Sequence, residues 1–242
     1  TDCRTAYGNA LCDLAKSNNK VIALTADLEG SVKTNILKSK YPERHFDVGI
    51  AEQAMVSIAG GASLQEIVPF CSTFGAFMTS RAKDQARVND INLTNVKMVA
   101  THCGLSVGED GPTHQALDDI SSFMGFFNTA IIEPADPNQT DRIIRFIAGH
   151  FGNFYVRMGR HKYPVILKEN GQVFFDEKYE YQYAKADHIR SGDELVLVSS
   201  GATLHEAVQA ADNLKKHGFK VGVWNVSSLK DIDNRVLNDI KK

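Results

Sequence analysis

The sequence predicts an α/β fold: a parallel sheet covered by helices on both faces, followed by a second, incomplete α/β unit. Short Val/Ile-rich runs such as VIALT (21–25), VKMVAT (96–101) and TAII (129–132) alternate with stretches of helical spacing. These runs are apolar throughout rather than alternating, as strands buried on both faces are. A 43% hydrophobic content with 23% charged residues over 242 residues supplies enough apolar surface for a sizeable core.

Each element has its own signal. Residues 4–18 place Ala6, Ala10, Leu11, Leu14 and Ala15 on one helical face, and VIALT follows as a strand. A polar helix is expected around 33–39. HFDV and EIVPFC read as short strands flanking an apolar, small-residue helix, AMVSIAGGASL. Residues 75–90 return to helical spacing as one helix, and VKMVAT is the next strand. A helix near 115–124 precedes the strand TAIIEPAD. Asp136-Pro137 opens a helix over 137–149, with Pro in the first turn, where its missing N–H costs nothing. FYVRMG closes the set. Residues 161–192, rich in Lys, Glu and Tyr with an Asn-Gly turn, read as a linker with an edge hairpin. The domain division is therefore 1–160, linker 161–192 and 193–242. In the last part ELVLVSSG, ATLHEAVQAADNLKKHG and KVGVWNV form one strand-helix-strand unit, too small to cover both faces of its sheet and expected to be completed by further residues.

Composition excludes several functions. A net charge of −2 with no basic stripe argues against a nucleic-acid partner. No apolar run approaches the roughly 20 residues that span a bilayer, so no membrane partner is expected. Four cysteines without a CxxC pair, and no signal peptide, suit a reducing, cytoplasmic location.

The chemistry gathers around one stretch, His45 to Met55. There a short strand ends at Gly49 and delivers Glu52 into the first turn of a helix. Alone, such a glutamate simply complements the helix dipole. In a parallel sheet, however, ligands sit beyond the carboxyl ends of the strands. Asp27, Glu52, Phe74, Phe77, His102, Asp110, His114 and Arg160 all follow such ends. Taken singly, the phenylalanines read as core, GEDGP as a turn, and Arg157 and Arg160 as surface charges at a strand end. Together they describe a cleft holding an acid, an aromatic shelf, imidazoles and cations, suited to a cofactor-dependent enzyme of anionic substrates.

IAEQAMVSIAGG, VPFCSTFGAF and THCGLSVGEDGPTHQALDD, in this order and spacing, resemble the pyrimidine-binding domain of transketolases. The resemblance runs from Arg4 to about Arg160, and residues 186–242 resemble the start of the family's C-terminal domain. It implies transfer of a two-carbon ketol unit from a ketose phosphate to an aldose phosphate with thiamine diphosphate, in the pentose phosphate pathway. Glu52 matches the glutamate that bonds the aminopyrimidine N1′. Phe77, with Phe74, matches the ring-stacking pocket, and Asp27 a cofactor-side aspartate. His114 resembles a histidine near cofactor and substrate, and Asp110 an aspartate that contacts a substrate hydroxyl. Arg4, Ser31, His102 and Arg160 match the substrate-phosphate site. Glu52, His102 and His114 are thus the candidate catalytic residues, the histidines as proton carriers because an unperturbed imidazole titrates near 6.5.

Two departures are visible. A third aromatic that many transketolases carry is replaced by Ser80. The family's diphosphate-binding domain, with its GDG…N motif for Mg²⁺, has no counterpart here. The resemblance therefore implies half an active site: an N-terminal transketolase subunit would supply the diphosphate and Mg²⁺ contacts. The implied assembly is a homodimer within a heterotetramer, with AMVSIAGGASL and the flank of VPFCSTF partly at a subunit interface. Still open are a 1-deoxyxylulose-5-phosphate synthase or 2-oxoacid dehydrogenase component, a split transketolase for another ketose phosphate such as apulose 4-phosphate, and a non-catalytic subunit.

Overall fold

The structure, a computed structural model, describes residues 2–241. The chain opens with α1 (Cys3–Ser17), capped where the Asp2 carboxylate accepts from the Thr5 N–H at 2.8 Å. There follow β1 (Val21–Thr25), α2 (Glu29–Val32), α3 (Asn35–Lys38), β2 (His45–Asp47) and α4 (Glu52–Ser63). Next come β3 (Val68–Phe74), α5 (Gly75–Ser80), α6 (Lys83–Ile91), β4 (Lys97–Thr101), α7 (Asp119–Met124), β5 (Thr129–Ile132), α8 (Pro137–Ala148) and β6 (Asn153–Arg157). Six strands form one wholly parallel sheet in the order β2-β1-β3-β4-β6-β5.

Helices cover both faces, as the continuous apolar runs require. On one face α1 and α8 pack Tyr7, Leu11, Ile143 and Ile144 against Phe70 and Val99. On the other, Met55, Val56, Met78 and Phe123 enclose Cys71, Met98 and Tyr155. α8 begins where expected: Pro137 follows Asp136, whose carboxylate accepts from the Gln139 N–H at 2.8 Å.

One predicted helix is interrupted and another is shorter than expected. The single helix expected over 75–90 breaks after Ser80 into α5 and α6, with Ala82 at φ −96°, ψ 9°. The helix expected around 33–39 is found shortened, as α3 over 35–38, and is preceded by α2, which Lys33 ends at a φ of 70°. VPFCSTF, whose flank was expected partly at a subunit interface, is itself enclosed within this chain. Every residue of β3 is buried, because β1 and β4 bond its two edges and helices cover its two faces. α4 divides instead: Met55, Val56, Ala59 and Gly60 face inward, while Ile58 and Leu64 are exposed. Gly60 is small for an internal reason, since a Cβ there would lie 2.1 Å from the Asn89 amide oxygen.

The second unit contains β7 (Asp187–Arg190), β8 (Leu195–Ser199), α9 (Thr203–Lys216), β9 (Val221–Asn225) and α10 (Asn234–Ile240), with its sheet ordered β7-β9-β8. β7 lies inside the stretch read as linker and runs antiparallel to β9, so that stretch supplies an edge of the second sheet. The Asn-Gly turn is present, with Gly171 at φ 81° and the Lys168 N–H donating to the Gln172 carbonyl. Residues 227–229 return to the first sheet: Glu133 N–H donates to the Ser227 carbonyl and Leu229 N–H to the Ile131 carbonyl, at 2.8 and 2.9 Å.

Candidate active site

The carboxyl ends of β1, β2, β3 and β4 meet at one edge of the parallel sheet. Two of the turns leaving them hold a non-glycine residue at positive φ: Asp27 at 57° after β1 and His102 at 58° after β4. Such conformations are unfavourable for side-chain-bearing residues and concentrate at functional sites. Asp47, ending β2, ties two turns together by accepting from the Asp27 and Gly49 N–H groups, each at 2.9 Å. Asp27 itself is exposed and does not line the cavity described next.

That cavity, about 440 Å³, is lined by Arg4, Ser31, Phe74, His102, Asp110 and Arg160, together with Leu28, Gly30 and Lys33. Five of the residues assigned to substrate binding thus converge, from positions 4 to 160 in the chain. Arg4 donates to the Ser31 carbonyl at 3.2 Å, and its Nε is buried without a hydrogen-bond partner. Arg160 donates to the Val107 carbonyl and is forked onto Glu109. That hydrogen bond from Arg160 holds the exposed Glu109 carboxyl well below its usual range, at about 2.

An aromatic bed adjoins the cavity. His102 stacks on Phe74 with ring centroids 3.8 Å apart, Phe74 stacks on Phe77 at 5.8 Å, and His114 meets Phe77 edge-on at 5.2 Å. Phe74 therefore joins the polar cavity to the Phe77 face. Beyond Phe77, Glu52 is only 4% exposed on the first turn of α4. Its Oε1 accepts from Arg81 at 3.0 Å, and the Arg81 guanidinium lies 4.5 Å from the Phe77 ring centroid.

His102 is a strongly perturbed imidazole of the site. Burial, reinforced by the charges of Arg4 and Arg160, pushes its pKa down to about 4, away from the range that suits a proton carrier at neutral pH. The His102 Nδ1 lies 2.9 Å from the Thr101 hydroxyl. The sign of the stability linkage follows. An unfolded imidazole takes a proton near 6.5 while the folded one stays neutral down to about 4, so stability falls as pH drops between these values. His102→Gln should lose less urea resistance than the parent chain between pH 7 and pH 5. Identical slopes for the two proteins would show that His102 is not held neutral.

Three features escaped the sequence reading. Arg81 was not singled out, although it lies four residues after Phe77, the spacing at which helical side chains meet. Lys33 lines the cavity without a motif to announce it. Arg157 was read as a surface charge, yet it is 8% exposed. Its Nε donates to Asp119 Oδ2 at 2.6 Å, and its Nη1 pairs with Glu133. Tyr155 also donates to Asp119, and Ser200 of the second unit donates to Glu133 at 2.6 Å. A charged residue within a strand of otherwise apolar pattern was the available signal.

The fold is that of a pyrimidine-binding domain joined to a transketolase-type C-terminal domain. Residues 1–165 match the model of the transketolase pyrimidine-binding domain, and residues 184–242 that of the transketolase C-terminal domain. The chain belongs to the transketolase family and corresponds to its C-terminal part. It is 36% identical to human transketolase over 98% of its own length but only 37% of the human protein. It is 33% identical to a Methanocaldococcus jannaschii protein described as a transketolase C-terminal section, covering 98% of this chain and 74% of that one. A solved split-gene transketolase, described as an inactive β4 tetramer, superposes with a TM-score of 0.86 at 33% identity, covering 98% and 75% of the two chains. Campylobacter jejuni transketolase superposes at 0.82 with 25% identity, over 94% of this chain and 35% of its own.

Proposed function

We propose that this chain is the pyrimidine-binding subunit of a split, cytoplasmic transketolase, moving a two-carbon ketol unit from a ketose phosphate to an aldose phosphate with thiamine diphosphate. The observation that carries this reading is the buried Glu52 carboxylate opening onto the Phe77 face, next to a cavity holding Arg4, Ser31, His102 and Arg160. The donor set fits the cofactor's pyrimidine end: an apolar ring face and one carboxylate, placed together and already spanned by a planar cation. The bound cofactor supplies an acidic carbon and an electron sink. Glu52 would bond the pyrimidine nitrogen and hold a proton there, Phe77 and Phe74 would support the ring, and His114 would orient a substrate hydroxyl from the ring edge. Asp110 would take another hydroxyl, with Asp27 toward the cofactor.

Among the described residues no cluster of three or more His, Cys, Asp or Glu could hold a metal ion. Mg²⁺, which favours oxygen ligands combined with phosphate, would be held with the diphosphate by an N-terminal partner subunit. The description of the split-gene neighbour as an inactive β4 tetramer supports reading a lone chain of this type as half a site. The proposed assembly is a homodimer of this chain within a heterotetramer.

Co-expression with a polypeptide carrying the diphosphate-binding half should yield two-carbon transfer from xylulose 5-phosphate that depends on thiamine diphosphate. Turnover by this chain alone, or use of pyruvate in place of the ketose phosphate, would overturn the reading. Within that complex, Arg160→Ala and Arg4→Ala should each raise KM for phosphorylated acceptors about 10- to 100-fold, as expected for losing a charge-assisted contact of roughly 1.5–3 kcal/mol. Unphosphorylated acceptors should change little. An equal penalty on both would place the phosphate elsewhere.

A further inference from the structure

Arg81 makes two contacts at once. Its guanidinium lies over the Phe77 ring at 4.5 Å, and its Nη1 donates to Glu52 Oε1 at 3.0 Å. These are the two surfaces a planar nitrogen heterocycle would use here: the ring for stacking, the carboxylate for a hydrogen bond. A guanidinium is itself planar, delocalised and rich in N–H donors, so it can serve both. The geometry also explains why the chain tolerates a carboxylate only 4% exposed at this position. Without a partner, a buried charge is costly, and Arg81 supplies the partner.

We propose that Arg81 is a placeholder for the cofactor's pyrimidine ring: it stacks on Phe77 and neutralises Glu52 in the cofactor-free chain, and it must leave for the ring to enter. This deepens, and rests on, the function proposed above. The two occupants compete, since both would lie on the Phe77 ring and both would draw on the Glu52 carboxylate. Arg81 is built to leave. Its side chain is 51% exposed, so one side already faces solvent, whereas Glu52 is fixed in the helix start. Its backbone is anchored, with the Arg81 N–H donating to the Phe77 carbonyl at 3.1 Å, so only the side chain has to swing. Ser80, the residue before Arg81, points its hydroxyl back to the Ala76 carbonyl.

The consequence is an energetic competition. Every contact Arg81 makes with Glu52 and Phe77 stabilises the free site and is given up on binding. Removing it should therefore strengthen cofactor binding. The test is calorimetry of thiamine diphosphate with Mg²⁺ on the complex of this chain with its diphosphate-binding partner, for the parent, Arg81→Ala and Arg81→Lys. Arg81→Ala should bind about five-fold tighter, the scale of a half-exposed cation–π contact and ion pair together. Arg81→Lys, which keeps the charge but lacks the planar face, should fall between. The melting temperature of the cofactor-free complex should drop in Arg81→Ala while that of the loaded complex stays unchanged. In a Glu52→Gln background the advantage of Arg81→Ala should shrink, because its ionic part acts through Glu52. Weaker binding in Arg81→Ala would make Arg81 part of the ring's bed, and unchanged binding would make it an ordinary surface arginine; either overturns the placeholder. Absence of binding by the parent complex would instead overturn the proposed function, and this inference with it.

Discussion

Glu52→Gln should lower turnover of the assembled enzyme by about 100-fold or more, the range for losing a positioned general acid–base group. The change is nearly isosteric, so packing around the first turn of α4 survives. What disappears is the ionisable oxygen pair: an amide can still bond a ring nitrogen, but it cannot hold and release a proton there. The side-chain partner that Glu52 has in the structure is Arg81, a cation that cannot take over as the acid. Far-UV circular dichroism should be unchanged, and KM for the sugars should move much less than kcat, since the cavity of Arg4, Ser31 and Arg160 is separate. Parent-like kcat in the Gln variant would remove Glu52 from the chemistry.

Arg157→Met should destabilise the chain by roughly 3–5 kcal/mol, the cost of breaking a buried ion pair on one side. Asp119, 1% exposed, would lose both its bonds from Arg157, at 2.6 and 3.3 Å, and keep that from the Tyr155 hydroxyl. Glu133 would keep Ser200 alone. The two carboxylates would then face each other without the cation that bridges them, and the effect should reach both units because Ser200 belongs to the second. Equilibrium urea unfolding measures it. The double variant Arg157→Met/Asp119→Asn should recover part of the loss, because it removes one stranded charge. A loss below about 1 kcal/mol, the usual worth of a surface pair, would return Arg157 to the surface role first read from its sequence position.

The same two arginines show how far the sequence could be read. The strands were legible because apolar runs buried on both faces admit few other interpretations. β1 was expected over 21–25 and is found there. Strand direction then placed Glu52, Phe74, His102 and Arg160 at one edge, because every strand of a parallel sheet ends on the same side. The break between α5 and α6 was not legible, because GAFMTSRAKDQARVND has uninterrupted helical spacing. The burial of β3 between two strands was not legible either, since an apolar run looks alike at an edge and at a centre.

The sequence by itself therefore determined the α/β class, the order of its main elements and five of the residues that line the cavity, since these follow from periodicity, turn chemistry and recognisable motifs. Only the tertiary structure decided which of those residues hold one another. Glu52 meets Arg81 across 29 positions, Arg157 meets Asp119 across 38, and Arg160 meets Glu109 across 51. It also set His102 in a place where burial, with two arginines nearby, depresses its pKa. Such pairings depend on where separate crossovers set down their side chains to within an ångström or so. Local pattern carries no information at that scale, whereas hydrogen bonding and desolvation act on nothing coarser.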